Sequence, residues 1–243
     1  MIKFSEEIME LAFQKMPKCV SVNILCSMGV DSVAASHFYG KNIKEKYIKQ
    51  NYHKFWGVRH FNHNQRPQND AMEASFKHFS LKYDTIDSDR FPCYSPVDLT
   101  ELIKENKTED GLRKARLKYI ELFMHRSIII TAHHLDDATE SYMLNVLRGK
   151  EGFLPIPFIT EVGSNLIVHP FLFTKKKDFR EYAERNDLMK FVVEDETNKV
   201  TKGSRRNFIR NEIMPLIQRE KMGLDTIVKK KMNERLMLEI IKG

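Results

Sequence analysis

Short apolar runs alternate with stretches of helical periodicity along this 243-residue chain. The clearest runs are Val20–Cys26, Trp56–Phe61, Ser127–Ala132 and Leu166–Leu172, and a helical pattern follows each of them. Such alternation is typical of a mostly parallel β-sheet with helices on both faces. We therefore predict an α/β fold, in which ligands bind beyond the carboxyl ends of the strands.

The positive charge is concentrated towards the C-terminus. Residues 174–243 contain 18 Lys and Arg against 12 Asp and Glu, whereas residues 1–173 contain 22 against 21. A localised basic excess favours a polyanionic partner such as RNA, although a solvated helical surface has the same composition. Because the last stretch has helical periodicity, we predict a main domain over 1–217 and a small basic helical tail over 218–243.

Cysteine usage and hydropathy indicate the compartment. The three cysteines, Cys19, Cys26 and Cys93, form no C-x-x-C pair and no zinc spacing, which fits a reducing cytosolic setting. No apolar run reaches the roughly 18 residues that a membrane span needs. The N-terminal segment has the periodicity of an amphipathic helix and not of a signal peptide. We therefore expect a cytoplasmic protein with no membrane partner.

The first predicted strand is joined to a helix, expected from Val33 onwards, by a loop of small and polar residues: Ser27, Met28, Gly29, Val30, Asp31 and Ser32. A strand–turn–helix of this kind directs backbone N–H groups and a helix N-terminus at one point, where a phosphate group is favoured. The loop contains no lysine, so it is not a Walker A motif. It is equally compatible with an ordinary strand–turn–helix connection.

Titratable residues are concentrated at a second strand-to-helix junction, Thr131–Glu140. Asp136 and Asp137 fall where a helix N-terminus favours negative charge. Asp137 and Glu140 are three residues apart and share a helix face, so together they can hold Mg²⁺ or an ammonium group. Because the carboxyl ends of parallel strands meet at one edge of a sheet, we expect this junction on the same edge as the loop at 27–32.

Two adjacent histidines, His133 and His134, leave a second interpretation open for this junction. With the neighbouring carboxylates they suggest a metal cage. The ligands of a transition metal are usually more widely placed along the chain, however. We therefore favour phosphate and ammonium chemistry over zinc binding.

Both junctions resemble motifs of the tRNA(Ile)-lysidine synthetases, which belong to the PP-loop ATP pyrophosphatases. The loop at 27–32 is similar to the PP-loop, and residues 132–149 are similar to the signature Ala-His-His-x-Asp-Asp-x-x-Glu-Thr followed by Leu-x-Arg-Gly. Further similarities follow in the family's order at residues 60–66, 112–116, 169–172, 194–198 and 206–210. The resemblance implies a Rossmann-like fold of the adenine nucleotide α-hydrolase type.

The resemblance also implies a reaction. ATP would adenylate the wobble cytidine of a tRNA(Ile) with the anticodon CAU and release pyrophosphate, and free L-lysine would then displace AMP to give lysidine. ATP is thus the expected substrate and Mg²⁺ the expected cofactor. Both steps need cations and oriented N–H donors at the phosphates. We also expect a homodimer.

Individual roles follow from the same resemblance. The loop residues Ser27 to Ser32 would bind ATP, with Mg²⁺ held by Asp31 and Asp137. Asp137 would also bind lysine or take a proton from its amine, and Glu140 would meet its ammonium group. His133 would lie over the phosphate or the ribose.

Arginines supply most of the remaining implied site. The catalytic residues would be Asp137, Arg113, Arg116 and His133. The tRNA-binding residues would be His63, Arg66, Arg148, Arg205, Arg206 and Arg210. From the residues alone, Arg113 and Arg116 also suit a solvated helix surface, and Arg148 suits a contact with a helix dipole.

Three departures from the family pattern leave alternatives open. Met28 replaces a glycine, and a side chain there is strained if the position needs a positive φ. Leu117 replaces a tyrosine. The chain ends about 26 residues after Ile217, without the C-terminal tRNA-binding domains of longer members, so the discrimination between CAU tRNAs is unexplained. The alternatives are a PP-loop tRNA thiolase, which the isolated cysteines disfavour, and a catalytically inactive tRNA-binding homologue.

Overall fold

A five-stranded sheet forms the centre of the protein. The computed structural model describes residues 1–49, 55–62, 68–83, 97–103, 109–150, 155–194, 205–220 and 222–242. Its strands are β1 (Ser21–Leu25), β2 (Phe55–Arg59), β3 (Phe61–Asn62), β4 (Val97–Asp98), β5 (Ser127–Ile130), β6 (Ile159–Val162) and β7 (Asn165–Val168). The order of the main sheet is β2-β1-β5-β7-β6, with β3 and β4 paired separately.

The main sheet is parallel except at one edge, where β6 runs antiparallel to β7. Because β2, β1, β5 and β7 are parallel, their carboxyl ends lie at the same edge of the sheet. The predicted α/β architecture is thereby confirmed.

Helices follow most of the strands. They are α1 (Glu6–Lys15), α2 (Val30–Asn42), α3 (Lys44–Lys49), α4 (Asn69–Tyr83), α5 (Thr100–Ile103), α6 (Glu109–Phe123), α7 (Leu135–Val146), α8 (Lys176–Arg185), α9 (Arg205–Phe208), α10 (Met214–Arg219) and α11 (Leu224–Lys242). Met189–Phe191 form a 3₁₀ turn, and a π-helical turn, Ile209–Ile213, joins α9 to α10. In the part of the chain that the structure describes, no helix is long and apolar enough to cross a membrane.

The two faces of the sheet bury alternate residues of the same strands. Ile128 and Ile130 of β5 belong to a large core cluster with residues of α1, α2 and α8. Ile129 points the other way and packs with Ile120 of α6 and with Ile167. Successive side chains of a strand point to opposite faces, so an unbroken apolar strand needs cover on both sides. Each fully buried isoleucine stabilises the fold by about 1.5–3 kcal/mol.

The C-terminal helix α11 packs against this core. Val228, Met232 and Leu236 are buried in the large cluster, and the helix contacts α7 and α1. The spacing of four residues places the three side chains on one stripe of the helix. The domain boundary at residue 217 stays a prediction.

Two local predictions are wrong. The sequence pattern predicts a strand over Lys82–Asp87, but Lys82 and Tyr83 belong to α4, and residues 84–87 lie outside the described residues. Gly149–Gly163, predicted as a loop, includes the edge strand β6. The sequence pattern also predicts that Pro215 ends or kinks the basic helix that starts at about Arg205. The helical stretch is interrupted by the π-helical turn, and Pro215 lies directly after it in the first turn of α10, where a missing N–H is tolerated.

Candidate functional site

Four parallel strands deliver side chains to one rim of the sheet. Loop 27–32 follows β1, His60 follows β2, residues 131–134 follow β5, and His169 follows β7. His60 Nδ1 lies 2.8 Å from the carbonyl oxygen of Cys26, which ties the ends of β2 and β1 together. The two junctions singled out in the sequence therefore meet at this rim.

The loop after β1 leaves the first turn of α2 open to an anion. Gly29 is the N-cap residue of α2, and no side chain caps this turn. Ser32 Oγ accepts a hydrogen bond from the Ser27 N–H at 3.1 Å and donates one to the Gly29 carbonyl at 3.0 Å, so the loop closes on itself. Helix α2 begins at Val30, three residues before the predicted Val33. Uncapped N–H groups at a helix N-terminus bind phosphate well.

Met28 adopts the left-handed backbone conformation, with φ +63°. Its side chain is fully buried, and its sulfur lies 3.5 Å from the sulfur of Cys26. Its carbonyl accepts a hydrogen bond from the N–H of Val193 at 2.9 Å. This conformation costs a non-glycine residue about 1–2 kcal/mol. The strain foreseen for a side chain at this position is present, and burial of the methionine offsets it.

Asp137 and Glu140 on α7 face two arginines of the C-terminal helical segment. Arg210 holds Glu140 with two hydrogen bonds of 2.8 Å, from Nε to Oε1 and from Nη2 to Oε2, and its Nη2 lies 3.2 Å from Asp137 Oδ1. Arg206 lies 3.4 Å from Asp137 Oδ1 and 3.5 Å from Glu140 Oε2. The carboxylates are only 8% and 4% exposed. Two negative and two positive charges thus balance in a buried cluster.

This cluster keeps Asp137 ionised. Burial alone would raise the pKa of its carboxyl, but His134, His133 and the two arginines hold that pKa far below its usual range. Burial likewise opposes the charge of Arg210, yet its hydrogen bonds with Glu140 raise the pKa of the guanidinium. Asp137 and Glu140 thus form a buried carboxylate pair whose charge two guanidinium groups neutralise.

His134 lies among three carboxylates. Its Nε2 is 3.4 Å from Asp31 Oδ2 and 3.4 Å from Asp137 Oδ2, and its Nδ1 is 3.6 Å from Asp136 Oδ2. Burial opposes a charge on the ring, but the carboxylates, Asp137 first, raise the pKa of His134 to about 9. When the ring is neutral, its Nδ1 accepts a hydrogen bond from the Asp137 N–H at 3.3 Å. At neutral pH the protonated ring of His134 connects the loop at 27–32, through Asp31, with α7, through Asp137.

His133 lies in a different environment. Its Nδ1 is 2.9 Å from Thr131 Oγ1 and 3.2 Å from His169 Nδ1, and His169 Nδ1 is 2.5 Å from the same hydroxyl. Burial lowers the pKa of His133 to about 4, against the pull of Asp137. Burial and the neighbouring His133 hold the pKa of His169 well below its ordinary value. Both rings are therefore neutral at pH 7.

Sequence reasoning missed Thr131 and His169 as site residues. Each directly follows a parallel strand, β5 or β7, and is buried at the rim. Ligand sites in open α/β sheets lie at the carboxyl ends of strands. That position was the signal that could have identified both residues.

Asp31 is the residue that best fits a magnesium ion. Its Oδ1 is buried and has no hydrogen-bond partner in the described part of the protein. Mg²⁺ is usually held by one or two carboxylates together with substrate phosphates. Over the same described residues, no group of three or more His, Cys, Asp or Glu side chains is arranged to hold a metal. The histidine cage is therefore not formed, whereas a carboxylate beside a phosphate loop is present.

The two arginines of α6 differ in their surroundings. Arg116 is half-buried, and its charge contributes to the lowered pKa of His133. Arg113 is exposed and lies 3.6 Å from Asp110 on its own helix. Arg116 is thus directed towards the rim, whereas the contact seen for Arg113 is a surface ion pair.

Two of the other predicted tRNA-binding residues lie at the surface. Arg148 follows α7 and is exposed, and Arg205 is exposed at the start of α9. His63 and Arg66 fall outside the described residues. Their roles stay predictions.

Sequence similarity to known proteins extends over most of the chain. A family model described as the PP-loop domain matches residues 3–217. The tRNA(Ile)-lysidine synthase of Streptococcus pyogenes serotype M1 is 32% identical over 202 residues, which are 82% of this chain and 42% of that protein. That of Haemophilus ducreyi is 36% identical over 117 residues, 47% of this chain and 27% of that protein. The chain thus spans less than half the length of these relatives.

A solved structure shares the fold. It is the U34-tRNA thiolase NcsA from Methanococcus maripaludis with its [4Fe-4S] cluster, with a TM-score of 0.66 and 13% sequence identity. The similarity covers 95% of this chain and 76% of that one. At this identity the likeness concerns the arrangement of strands and helices alone.

Proposed function

Because this chain belongs to the PP-loop domain family, we propose that it uses ATP to modify a tRNA, as a tRNA(Ile)-lysidine synthetase. ATP adenylates O2 of the wobble cytidine in a tRNA(Ile) with the anticodon CAU, and pyrophosphate leaves. An amine of free L-lysine then attacks the activated ring carbon and displaces AMP, which forms a carbon–nitrogen bond. The observation that carries the proposal is the buried pair of carboxylates, Asp137 and Glu140, beside the loop at 27–32.

Asp137 and Glu140 are suited to hold an ammonium group. The two carboxylates already bind guanidinium groups, and an ammonium group donates hydrogen bonds to the same oxygens. His134 lies between Asp137 and Asp31, so the cation site adjoins the loop. This adjacency supports a reaction between an amine and a nucleotide-activated group.

Lysine cannot bind these carboxylates while both arginines occupy them. A tRNA carries phosphates, which are strong alternative partners for guanidinium groups. We therefore assign Arg206 and Arg210 to the tRNA, and Asp137 and Glu140 to the lysine. An exchange of partners then couples arrival of the tRNA to opening of the lysine site.

The other side of the rim is assigned to ATP. The loop at 27–32 and the first turn of α2 bind the phosphates through backbone N–H groups. Mg²⁺ is held by Asp31, with Asp137 nearby, and supplies positive charge against the phosphates when bound. Arg116 and His133 contact the reacting phosphate, and Arg113 assists from the surface of α6.

The test is a modification assay on a tRNA with the anticodon CAU. The full chain is incubated with the tRNA, ATP, Mg²⁺ and labelled lysine, and the nucleosides are separated and identified by mass. Label in a modified cytidine is the expected result. The absence of both label and pyrophosphate release with any CAU tRNA would refute the proposal.

The two alternatives give different outcomes in the same assay. Burial raises the pKa of the Cys19 and Cys26 thiols, which disfavours the thiolates that sulfur transfer needs, and Cys93 lies outside the described residues. A thiolase would add sulfur to the tRNA in place of lysine. An inactive tRNA-binding homologue would release no pyrophosphate. A homodimer stays a prediction for the assembly.

A further inference from the structure

Three side chains form a closed triangle of polar atoms at the ends of β5 and β7. Thr131 Oγ1 lies 2.9 Å from His133 Nδ1 and 2.5 Å from His169 Nδ1, and the two ring nitrogens are 3.2 Å apart. All three distances are hydrogen-bond distances. The geometry of this triangle therefore limits which of its three atoms can carry a proton.

The geometry requires the two histidines to be opposite tautomers. If both Nδ1 atoms carried a proton, two N–H groups would face each other at 3.2 Å. If neither did, the single hydroxyl proton of Thr131 could satisfy only one of two lone pairs, and a buried acceptor would be left without a partner. With one protonated Nδ1, that ring donates to the Thr131 oxygen, and the hydroxyl donates to the other ring.

The surroundings of His133 indicate which of the two rings donates a hydrogen bond to Thr131 and which accepts one from it. The charges that act on its ring are those of Asp137, Arg206, His134 and Arg116, all at the rim. Nε2 of His133 has no hydrogen-bond partner among the described residues, so this is the nitrogen available to a ligand. A phosphate oxygen accepts hydrogen bonds, so Nε2 must carry a proton to bind one.

We propose that His169, acting through Thr131, is a positioning residue that fixes His133 as the Nε2–H tautomer. His169 Nδ1–H donates to Thr131 Oγ1, and the Thr131 hydroxyl donates to His133 Nδ1. The proton of His133 then lies on Nε2 and is directed at the phosphate of ATP. The neutral form of both rings, which burial favours, is compatible with this arrangement. The inference rests on the proposed function for the identity of that phosphate.

Nitrogen-15 NMR on the full chain tests the tautomers without any substrate. Two-bond ¹H–¹⁵N correlations distinguish Nδ1–H from Nε2–H rings, and His133→Asn and His169→Asn assign the signals. We expect His133 as Nε2–H and His169 as Nδ1–H at pH 7. Finding the same tautomer in both rings, a protonated ring, or His133 as Nδ1–H would overturn the proposal.

Two substitutions of His169 separate positioning from packing. His169→Phe retains a ring but removes Nδ1, whereas His169→Asn retains an N–H donor at the same distance from Cβ. We expect the phenylalanine variant to bind ATP about tenfold more weakly and to contain both tautomers of His133. We expect the asparagine variant to restore the single tautomer and most of the affinity. Calorimetric titration with ATP measures the affinities.

A matched control is His37→Phe. His37 is also buried, and its Nδ1 lies 2.9 Å from the Tyr182 hydroxyl, but it joins α2 to α8 away from the triangle. We expect this variant to bind ATP within about twofold of the wild-type protein. If His169→Phe kept full affinity, or if His169→Asn bound as weakly as His169→Phe, the positioning role would be refuted. Because these readouts need no tRNA, a failure to form lysidine would count against the proposed function and not against the positioning role.

Discussion

His133 and His134 are neighbours in sequence but differ in charge: at neutral pH the ring of His134 is protonated and that of His133 is neutral. His134 is buried and His133 is half-buried, and the pKa of His134 is raised to about 9 whereas that of His133 is lowered to about 4. Three carboxylates surround His134, whereas a hydroxyl and a second imidazole adjoin His133. Burial opposes a charge on both rings; the carboxylates around His134 overcome it, whereas the pull of Asp137 on His133 does not.

The residues of the rim fall into the same two groups, one charged and one neutral. Its charged half consists of Asp31, His134, Asp137, Glu140, Arg206 and Arg210, and its neutral half consists of Thr131, His133 and His169. The charged half pairs carboxylates with guanidinium groups, whereas under the proposed function the neutral half would donate hydrogen bonds to a phosphate. We therefore expect the two halves to serve different substrates of one reaction.

The largest effect is expected from removing the charge at the centre of the charged half. Asp137→Asn preserves the shape of the side chain but removes the negative charge that faces both guanidinium groups and His134. We expect lysine incorporation into tRNA to fall by about 10²–10³-fold, with an unchanged far-ultraviolet circular dichroism spectrum.

The matched control for this change is Asp136→Asn. Asp136 is adjacent on α7 and accepts a hydrogen bond from the Lys176 N–H at 2.8 Å, outside the arginine cluster. Lysine incorporation by the Asp136→Asn variant should stay within about twofold of the wild type. If both variants lost lysine incorporation equally, the total negative charge of the junction would matter, and the specific pair of Asp137 and Glu140 would not.

A tenfold effect should separate the substrates of the two halves. Glu140→Gln keeps the volume of the side chain and loses its charge, and hydrogen bonds to charged groups contribute about 1.5–3 kcal/mol. We expect the KM for lysine to rise about tenfold and the KM for ATP to stay constant. Thr131→Val in the neutral half should instead raise the KM for ATP. Steady-state kinetics with each substrate varied would contradict the division if both variants changed the same KM.

The pH dependence of stability should differ between the halves. The folded state raises the pKa of His134 from 6.5 to about 9, so its contribution to stability is complete below about pH 6.5 and is lost as the pH rises through about 9. The folded state lowers the pKa of His133 to about 4, so stability is lost as the pH falls from about 6.5 to about 4. Urea unfolding across pH 4–9.5 measures both slopes.

The control variants assign these slopes. His134→Asn should flatten the alkaline decline and leave the acidic one, because only the charged half is altered. His125→Asn should leave both, since His125 is exposed and bonded to the Ser164 hydroxyl at a distance from the rim. An alkaline decline that persists in His134→Asn would contradict the imidazolium assignment.

The smallest effect is the difference in stability between two variants of Met28, in the loop at 27–32. Met28→Ala should cost about 2–5 kcal/mol because a fully buried side chain is removed. Met28→Gly removes more atoms, yet we expect it to be about 1 kcal/mol more stable than the alanine variant, since glycine adopts φ +63° without strain. Thermal unfolding should show a difference of about 2–4 °C. The reverse order would contradict the strain at this position.

The sequence predicts the strands of the core because apolar runs record burial directly. Ile128, Ile129 and Ile130 are all fully buried, as an unbroken β-branched run indicates. The edge strand β6 escaped prediction because its sequence, Ile-Thr-Glu-Val, is short, half-exposed and preceded by two prolines. A strand of this type forms because β7 offers it hydrogen bonds, which no local pattern records.

The site was predictable as a place and not as a set of contacts. Strand topology brings loop 27–32 and the first turns of α7 together. Alternation predicts that they share an edge of the sheet, but not that β1 and β5 are neighbouring strands. The partners of Asp137 are not predictable in this way, because Arg206 and Arg210 lie 69 and 73 residues further along the chain. Sequence spacing indicates which charges share a helix face but not which distant charges meet it.

The π-helical turn at Ile209–Ile213 has a consequence for the length of this segment. Its hydrogen bonds span one residue more than those of an α-helix, so it changes the angular phase between the helical stretches on either side. In an α-helix each residue advances by about 100°. The wider turn can absorb the loss of one residue by closing to an α-helix, but deleting one residue of α9 after Arg206 would rotate Arg206 by about that angle relative to the buried Met214 and turn its guanidinium away from the carboxylates. A change of one residue that a surface loop would tolerate should therefore disconnect Arg206 from the rim.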